Sequence, residues 1–149
     1  MAEQRTLERA RKDRREGKSP STQAGEFVRE EIHHIREGKH GARSSKQAIA
    51  IGLSKARRAG VKLPPPRKSK ASAETRRRAQ RDYAIGRTAA PKRPSAKRSR
   101  ATLRALRHEG HSAASHNALA RQARSSAHQR SAAQRSAAAR KAARTRARL

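Results

Sequence analysis

The segment STQAGEFVREEIHHIREGKHGARSSKQAIAIGLSKARRAGVKL, residues 21–63, is the part of this chain in which apolar residues recur at helical spacing. Its first half predicts a helix over residues 22–37, opened by the hydroxyls of Ser21 and Thr22 and ended by Gly38 in a left-handed conformation. The glutamates early in this helix suit the positive end of its dipole. One face of the helix carries Ala24, Val28, Ile32 and Ile35, with Phe27 beside it.

A second helix is predicted over residues 45–59, after a short glycine-bounded loop. Ser44 and Gln47 have the spacing of a capping box at its start, and Gly60 followed by a valine is typical of a Schellman motif at its end. Three prolines at 64–66 then impose an extended backbone. The sequence therefore predicts a mainly α fold built on a small αα-hairpin. The predicted hairpin core consists of Phe27, Val28, Ile32, Ile35, Ile49, Leu53 and Ala56.

This hairpin is small for an independent fold. Its few large apolar side chains stabilise it by less than the backbone entropy that ordering about 40 residues costs, at ~1–2 kcal/mol each. A homodimer formed through the hairpin, or docking of a later helix on its apolar face, would supply the missing burial. The sequence leaves both possibilities open.

The flanking segments divide the chain into four parts. Residues 1–20 form a charged N-terminal segment with a solvated, frayed helix over 3–16, and residues 21–66 form the hairpin domain. Residues 67–111 are a basic linker, and residues 112–149 are an Ala/Arg/Ser-rich basic tail. Short helices are predicted over 72–85 and 95–109, joined by a linker at 88–94. The tail is expected to be disordered alone and helical on a polyanion, because phosphates remove its like-charge repulsion.

Charge is the strongest indicator of function. The chain has 40 Lys and Arg against 11 Asp and Glu, a net charge of +29. Residues 1–37 hold nine basic and eight acidic groups, so their net charge is only +1 and the rest of the chain carries +28. Such a polycation predicts binding to nucleic acid through phosphates, with little dependence on base sequence. The residues predicted to contact phosphates are Lys55, Arg57, Arg58, Lys62, Arg67, Lys68, Lys70, Arg76, Arg77, Arg78, Arg98, Arg100, Arg121, Arg124, Arg130, Arg135, Arg140, Lys141 and Arg144.

Aromatic residues make up 1% of the chain, so it lacks the stacking platforms that single-strand binders use, and duplex DNA is favoured over RNA. An RNA- or ribosome-associated structural protein is the alternative, because arginine-rich extensions also thread between RNA helices. A third hypothesis is a protein-interaction hairpin with an electrostatic tail. A sequence-specific helix-turn-helix is disfavoured, because the loop is too long and the second helix has few base-reading side chains.

Several function classes are not expected. The chain has no phosphate loop, no nucleophile elbow and no cysteine, so neither an enzyme nor a thiolate metal site is predicted. His33 and His34 are adjacent on a helix and point about 100° apart, which disfavours shared metal ligation. We therefore expect no metal, no cofactor and no small-molecule substrate. No apolar run approaches the ~20 residues of a membrane span, so a cytoplasmic, nucleoid-associated protein is expected.

The run SKQAIAIGLSKA, residues 45–56, carries a resemblance to known proteins. Together with the preceding acidic amphipathic helix, it resembles a family of small basic bacterial proteins of unknown function, over residues 19–66. The resemblance implies a bacterial source and a folded unit, and it implies no activity or site residues. The tail is similar in composition to the Ala/Lys/Arg-rich tails of linker-histone-like bacterial proteins.

Overall fold

The computed structural model describes residues 2–88 and 95–148. Within these residues the structure has helices and no strands, which confirms the predicted mainly α class. Residues 89–94 of the predicted linker at 88–94 lie outside the described residues. The 3₁₀ turns are Lys68–Lys70 and Ser112–Ala114. The helices are α1 (Gln4–Arg15), α2 (Pro20–Arg36), α3 (Ser45–Arg58), α4 (Ala73–Ile85), α5 (Ala96–Arg107), α6 (His116–His128) and α7 (Ala132–Arg146).

The helices that form the hairpin end as the sequence predicts. Gly38 and Gly60 have φ values of 73° and 87°, the left-handed conformation that a Schellman motif requires. In the second motif the amide N–H of Val61 donates to the carbonyl of Ala56, at 3.1 Å. These two turns therefore fix where the loop between α2 and α3 starts and where α3 ends.

The starts of the same helices differ from the prediction in detail. The N-cap of α2 is Ser19, not Ser21 or Thr22, because Pro20 occupies the first helical position, where its missing N–H costs nothing. Ser44 caps α3 as predicted, accepting from the amide of Gln47 at 3.2 Å. The side chain of Gln47 bonds the amide of Arg43 at 2.7 Å, one residue before the N-cap, so the reciprocal half of the capping box is absent.

The hairpin packs through small residues of α3, not through its large ones. The buried line of α3 is Ser45, Ala48, Gly52 and Ala56, whereas Ile49 and Leu53 are only partly buried. Gly52 lies so close to α2 that a Cβ there would be 2.7 Å from the Cα of Val28. Because the helices meet this closely, Ile49 lies to the side of the contact and outside both apolar clusters, which corrects its predicted place in the core.

Adding one methyl group at this crossing is expected to destabilise the protein. In Gly52→Ala, overpacking against the α2 backbone costs about 1–3 kcal/mol and outweighs the helix-propensity gain of about 1 kcal/mol. Gly25→Ala is the matched control, because Gly25 is exposed on α2 and a Cβ added there would have no atom within 4 Å. Urea unfolding should show a lower free energy of unfolding for Gly52→Ala and a higher one for Gly25→Ala. Equal stabilisation by both would contradict this packing.

The N-terminal helix is part of the fold, which corrects the prediction of a solvated, frayed helix. Thr6, Ala10 and Asp13 of α1 are buried. Ala10 joins a cluster around Phe27 with Ala24, Ala56 and Val61, and Leu7 packs against that cluster. The apolar face of α1 is narrow, and its Ala10 packs with Ala24 and Phe27 of α2.

The burial that the hairpin lacks also comes from a later segment. Ala113 and Ala114 are buried in a second cluster with Ile32, Ile35, Ala42 and Ala48, against which Val28 and Leu119 pack. Arg36 Nε donates to the carbonyl of Ala114 at 2.9 Å, and the Ser45 hydroxyl donates to that of Ala113 at 2.6 Å. Within one chain, α1 and the segment at 113–119 thus supply burial on two sides of the hairpin.

Candidate nucleic-acid interface

The acidic groups of the second half of the chain are neutralised internally. Glu74 pairs with Arg78, Asp82 pairs with Arg58 at 2.7 Å, and Glu109 pairs with Arg43 at 3.5 Å. These are the only acidic residues after Glu37, and 31 Lys and Arg lie in the same stretch. Most of these cations therefore have no carboxylate partner within the described residues.

The cations at the end of α3 serve the fold, which corrects part of the predicted interface. Lys55 is 21% exposed and bridges two buried glutamates. Arg57 is buried and donates to the carbonyls of Leu63 and Pro64. Arg58 holds α4 through Asp82, which also accepts from Ser54 at 2.7 Å. Lys55, Arg57 and Arg58 are therefore engaged within the fold, and phosphate contact by any of them would compete with these internal contacts.

The other predicted phosphate contacts lie on the surface. Arg76 is partly buried and the remainder are exposed, in the segment after α3 and along α4 to α7. Residues 131–148 are exposed throughout, so α7, about 22 Å long, has cations around it and no buried face. The predicted residues placed on this surface are Lys62, Arg67, Lys68, Lys70, Arg76, Arg77, Arg78, Arg98, Arg100, Arg121, Arg124, Arg130, Arg135, Arg140, Lys141 and Arg144.

A first cleft, of about 450 Å³, lies where the starts of α3 and α6 meet. The capping serines of both helices, Ser44 and Ser115, are at its wall. Amide N–H groups at helix starts carry partial positive charge, which favours anions. No acidic residue lines this cleft, and its cations are Arg43, Lys46 and Arg121.

A second cleft, of about 520 Å³, lies between the 3₁₀ turn after α3 and the junction of α6 with α7. Arg67, Lys70 and Arg130 contribute its cations, and no acidic residue lines it. Lys70 Nζ is 3.5 Å from the carbonyl of Gln129, which places the two segments against each other. The three cations of this cleft are among the predicted phosphate contacts, and the fold brings them together from positions up to 63 apart in the chain.

Sequence reasoning missed Arg43 and Lys46 of the first cleft. Arg43 directly precedes the N-cap Ser44 and Lys46 lies two residues after it, and basic residues on both sides of a serine cap are a signal that the sequence does contain. The contribution of Arg121 to the same cleft has no such local signal, because only the docking of Ala113 and Ala114 places the start of α6 beside that of α3.

The structure also contains a buried charge cluster, defined by Glu30, Glu31, His40 and Lys55. Lys55 Nζ is 3.2 Å from Glu30 Oε1 and 2.7 Å from Glu31 Oε2, and His40 Nε2 is 3.0 Å from Glu31 Oε1. The amide N–H of Glu3 donates to Glu30 at 3.0 Å. The prediction that these glutamates merely suit the helix dipole is therefore incomplete, since they join α2 to α1, to α3 and to the loop between α2 and α3.

Two members of this cluster, Glu30 and Lys55, keep their charges in the buried environment. Burial works to raise the pKa of Glu30, but the Glu3 amide, the Thr6 hydroxyl and Lys55 outweigh it and hold that pKa below its usual value. Burial likewise works to lower the pKa of Lys55, and the carboxylates of Glu31 and Glu30 outweigh it, so that pKa is raised. Both groups are therefore charged at neutral pH.

Comparisons with known proteins give a limited result. No curated protein and no solved structure matches the chain. Within the described residues, no helix is both long and apolar enough to cross a membrane. Residues 2–69, which comprise α1, α2, α3 and the segment that leads into the first 3₁₀ turn, are similar to a family of unknown function, DUF6496.

Proposed function

We propose that this protein is a non-enzymatic, nucleoid-associated bacterial protein that binds duplex DNA through its phosphates with little sequence preference. The observation that carries the proposal is the separation of charge. Carboxylates after Glu37 are paired within the chain, whereas residues 95–148 hold fourteen Lys and Arg against one Glu. A surface of this kind repels itself unless a polyanion lies against it.

The two clefts suit phosphate groups rather than base edges. Each is lined by cations, serine or glutamine side chains and no acidic residue. Such contacts position a duplex without reading its sequence, since specificity comes from side chains that reach the bases in a groove. The three-helix unit of α1 to α3 would hold the first cleft in place, and α7 would add phosphate contacts along the backbone.

Salt dependence tests this proposal. We expect log K for a random-sequence duplex to fall steeply and linearly with log[salt], because each neutralised phosphate releases a counterion and adds about 0.9 to the slope. The measurement is fluorescence anisotropy with the full chain at several salt concentrations. A shallow slope would overturn DNA binding through phosphates.

A pair of matched variants tests the first cleft. Lys46→Gln with Arg121→Gln should lower the slope by up to about 1.8, because two phosphate contacts are lost. The control is Arg11→Gln with Arg14→Gln, which removes the same charge from the exposed face of α1, and its slope should stay near that of the wild type. Equal losses in both variants would mean that net charge, and not this cleft, governs binding.

Competition distinguishes duplex DNA from RNA. Equal lengths of random duplex DNA and of structured RNA should compete for the labelled complex, with DNA the stronger competitor. Stronger competition by RNA would favour the RNA- or ribosome-associated alternative. Localisation of a tagged chain with the chromosome in bacterial cells tests the nucleoid assignment separately.

A further inference from the structure

The side chains of Glu31, His34 and His40 come together beside the buried charge cluster, although they lie on α2 and on the loop that follows it. Their candidate ligand atoms are all within 4.8 Å of one another. The side chain of Glu31 is 1% exposed, that of His40 is 9% exposed and that of His34 is 13% exposed. His34 and His40 pack edge to face, with ring centroids 6.0 Å apart. Two imidazoles and one carboxylate thus share one corner of the molecule, at whose exposed side His34 Nε2 is also 2.8 Å from Glu3 Oε1.

The hydrogen bond on the other side of His40 determines which ring nitrogen faces Glu31. His40 Nδ1 is 3.0 Å from the carbonyl of Gly41, and a carbonyl only accepts, so Nδ1 carries a proton and donates it. Nε2 faces Glu31 Oε1 across 3.0 Å. Two acceptors do not approach this closely by themselves, so either a second proton on the ring or a metal ion lies between Nε2 and Oε1. A histidine whose far N–H is held by a backbone carbonyl is also the usual arrangement of a metal ligand.

The charges of the cluster point the same way. The two carboxylates of Glu30 and Glu31 share one lysine, Lys55. Lys55 Nζ is 2.7 Å from Glu31 Oε2, but the angles do not meet those of a hydrogen bond. The other oxygen of Glu31, Oε1, faces His40. A second positive charge, on a doubly protonated His40 or on a metal ion, would balance this cluster, because a buried charge without a partner is costly.

We propose that Glu31, His34 and His40 bind a divalent transition metal ion, with Zn²⁺ the best match. Two imidazoles and a carboxylate are a common zinc ligand set, and a water completes four-coordination. Bonds of about 2.0–2.1 Å place tetrahedral ligands about 3.3 Å apart, so the largest separation needs to close by about 1.5 Å. The objection that adjacent histidines cannot share an ion does not apply, because the second histidine is His40 and not His33.

The site joins α2 to the loop that follows it, so a bound metal would affect the order of that loop. The loop that carries His40 is held by the basic half of the chain, since Gly41 N–H donates to the Leu106 carbonyl at 2.9 Å and Ala42 N–H donates to that of Gly110 at 3.0 Å. A metal that fixes His40 to α2 would therefore also fix the surface on which the segment after α5 docks. This role is independent of nucleic-acid binding.

The test uses the full chain, freed of nucleic acid, stripped of metal by a chelator and exchanged into a buffer that does not bind metals. Titration calorimetry with Zn²⁺ should show one site, and Co²⁺ should give the strong visible absorption of a four-coordinate ion. Glu31→Gln and His40→Gln should each weaken binding by about 100-fold or more, because loss even of a ligand's supporting partner costs about 10–100-fold. His33→Gln is the matched control, because His33 is the exposed neighbour on the same helix, and its affinity should be unchanged.

Folding of the variants is monitored by circular dichroism. His34→Gln is the variant least expected to unfold the protein, because the His34 side chain is the most exposed of the three. It should keep the helix content of the wild type and lose metal affinity. Absence of Zn²⁺ binding by the wild type would overturn the proposal, and a His40 ring found doubly protonated by NMR at neutral pH with Zn²⁺ present would do the same. An equal loss of affinity in His33→Gln would also overturn it.

Discussion

Ending the chain at Arg130 will lower the slope of log K against log[salt] for duplex DNA by up to about 5, while the free energy of unfolding stays that of the full chain. The shortened chain lacks six cations, and each phosphate contact adds about 0.9 to the slope. Residues 131–148 are exposed and belong to neither apolar cluster, so their removal takes nothing from the core. Anisotropy titrations over a range of salt measure the first effect, and urea unfolding measures the second. The lost cations are Arg135, Arg140, Lys141, Arg144, Arg146 and Arg148.

Two further variants distinguish the effect of lost charge on DNA binding from the effect of lost packing on stability. Replacing the same six cations with glutamine at full length should reproduce the lower slope, because helix α7 remains without its charge. Ending the chain at Gly110 instead should lower stability as well, because it removes Ala113, Ala114 and Leu119 from the cluster around Ile35. An unchanged slope after removal of α7 would mean that this helix does not contact DNA, whatever its charge.

Lys55→Met will destabilise the fold by about 3–5 kcal/mol at neutral pH, the usual cost of breaking a buried ion pair from one side. Methionine keeps most of the side-chain volume and leaves Glu30 and Glu31 without the cation they share. Lys46→Met is the matched control, because Lys46 is an exposed cation on the same helix, and its effect should lie within about 0.5 kcal/mol. Urea unfolding of both variants at neutral pH is the measurement.

The difference in free energy of unfolding between the wild type and Lys55→Met should become smaller as the pH falls. In the wild type the pKa of Glu30 is lowered on folding, so its ionised form stabilises the protein above the ordinary value of 4.5, and this contribution is lost as the pH falls through the lower, folded value. In the variant Glu30 loses a cation that lowers its pKa, so it takes up a proton at higher pH, which removes part of the cost of its burial. A difference that stays constant from neutral pH down to about pH 4 would show that lost packing, and not charge, causes the destabilisation.

The elements of the hairpin were predictable because local chemistry determines them. The apolar period of residues 24–35 predicts α2, Ser44 predicts the start of α3, and Gly38 and Gly60 predict where the helices end. Each of these signals acts over a turn or two of backbone. The helices at 73–85 and 96–107 were predictable on the same basis, within two residues at either end.

The sequence by itself determined a mainly α chain with a near-neutral start, a helical hairpin and a long basic remainder, because helix periodicity, capping and net charge are local or additive properties. Only the tertiary structure decided which residues pack, since the contact of α2 with α3 runs through Gly52 and so displaces Ile49 from the core. It also decided which charges are neutralised inside the fold. Lys55 binds DNA or neutralises glutamates according to what lies across from it, and that depends on the relative placement of helices 25 residues apart.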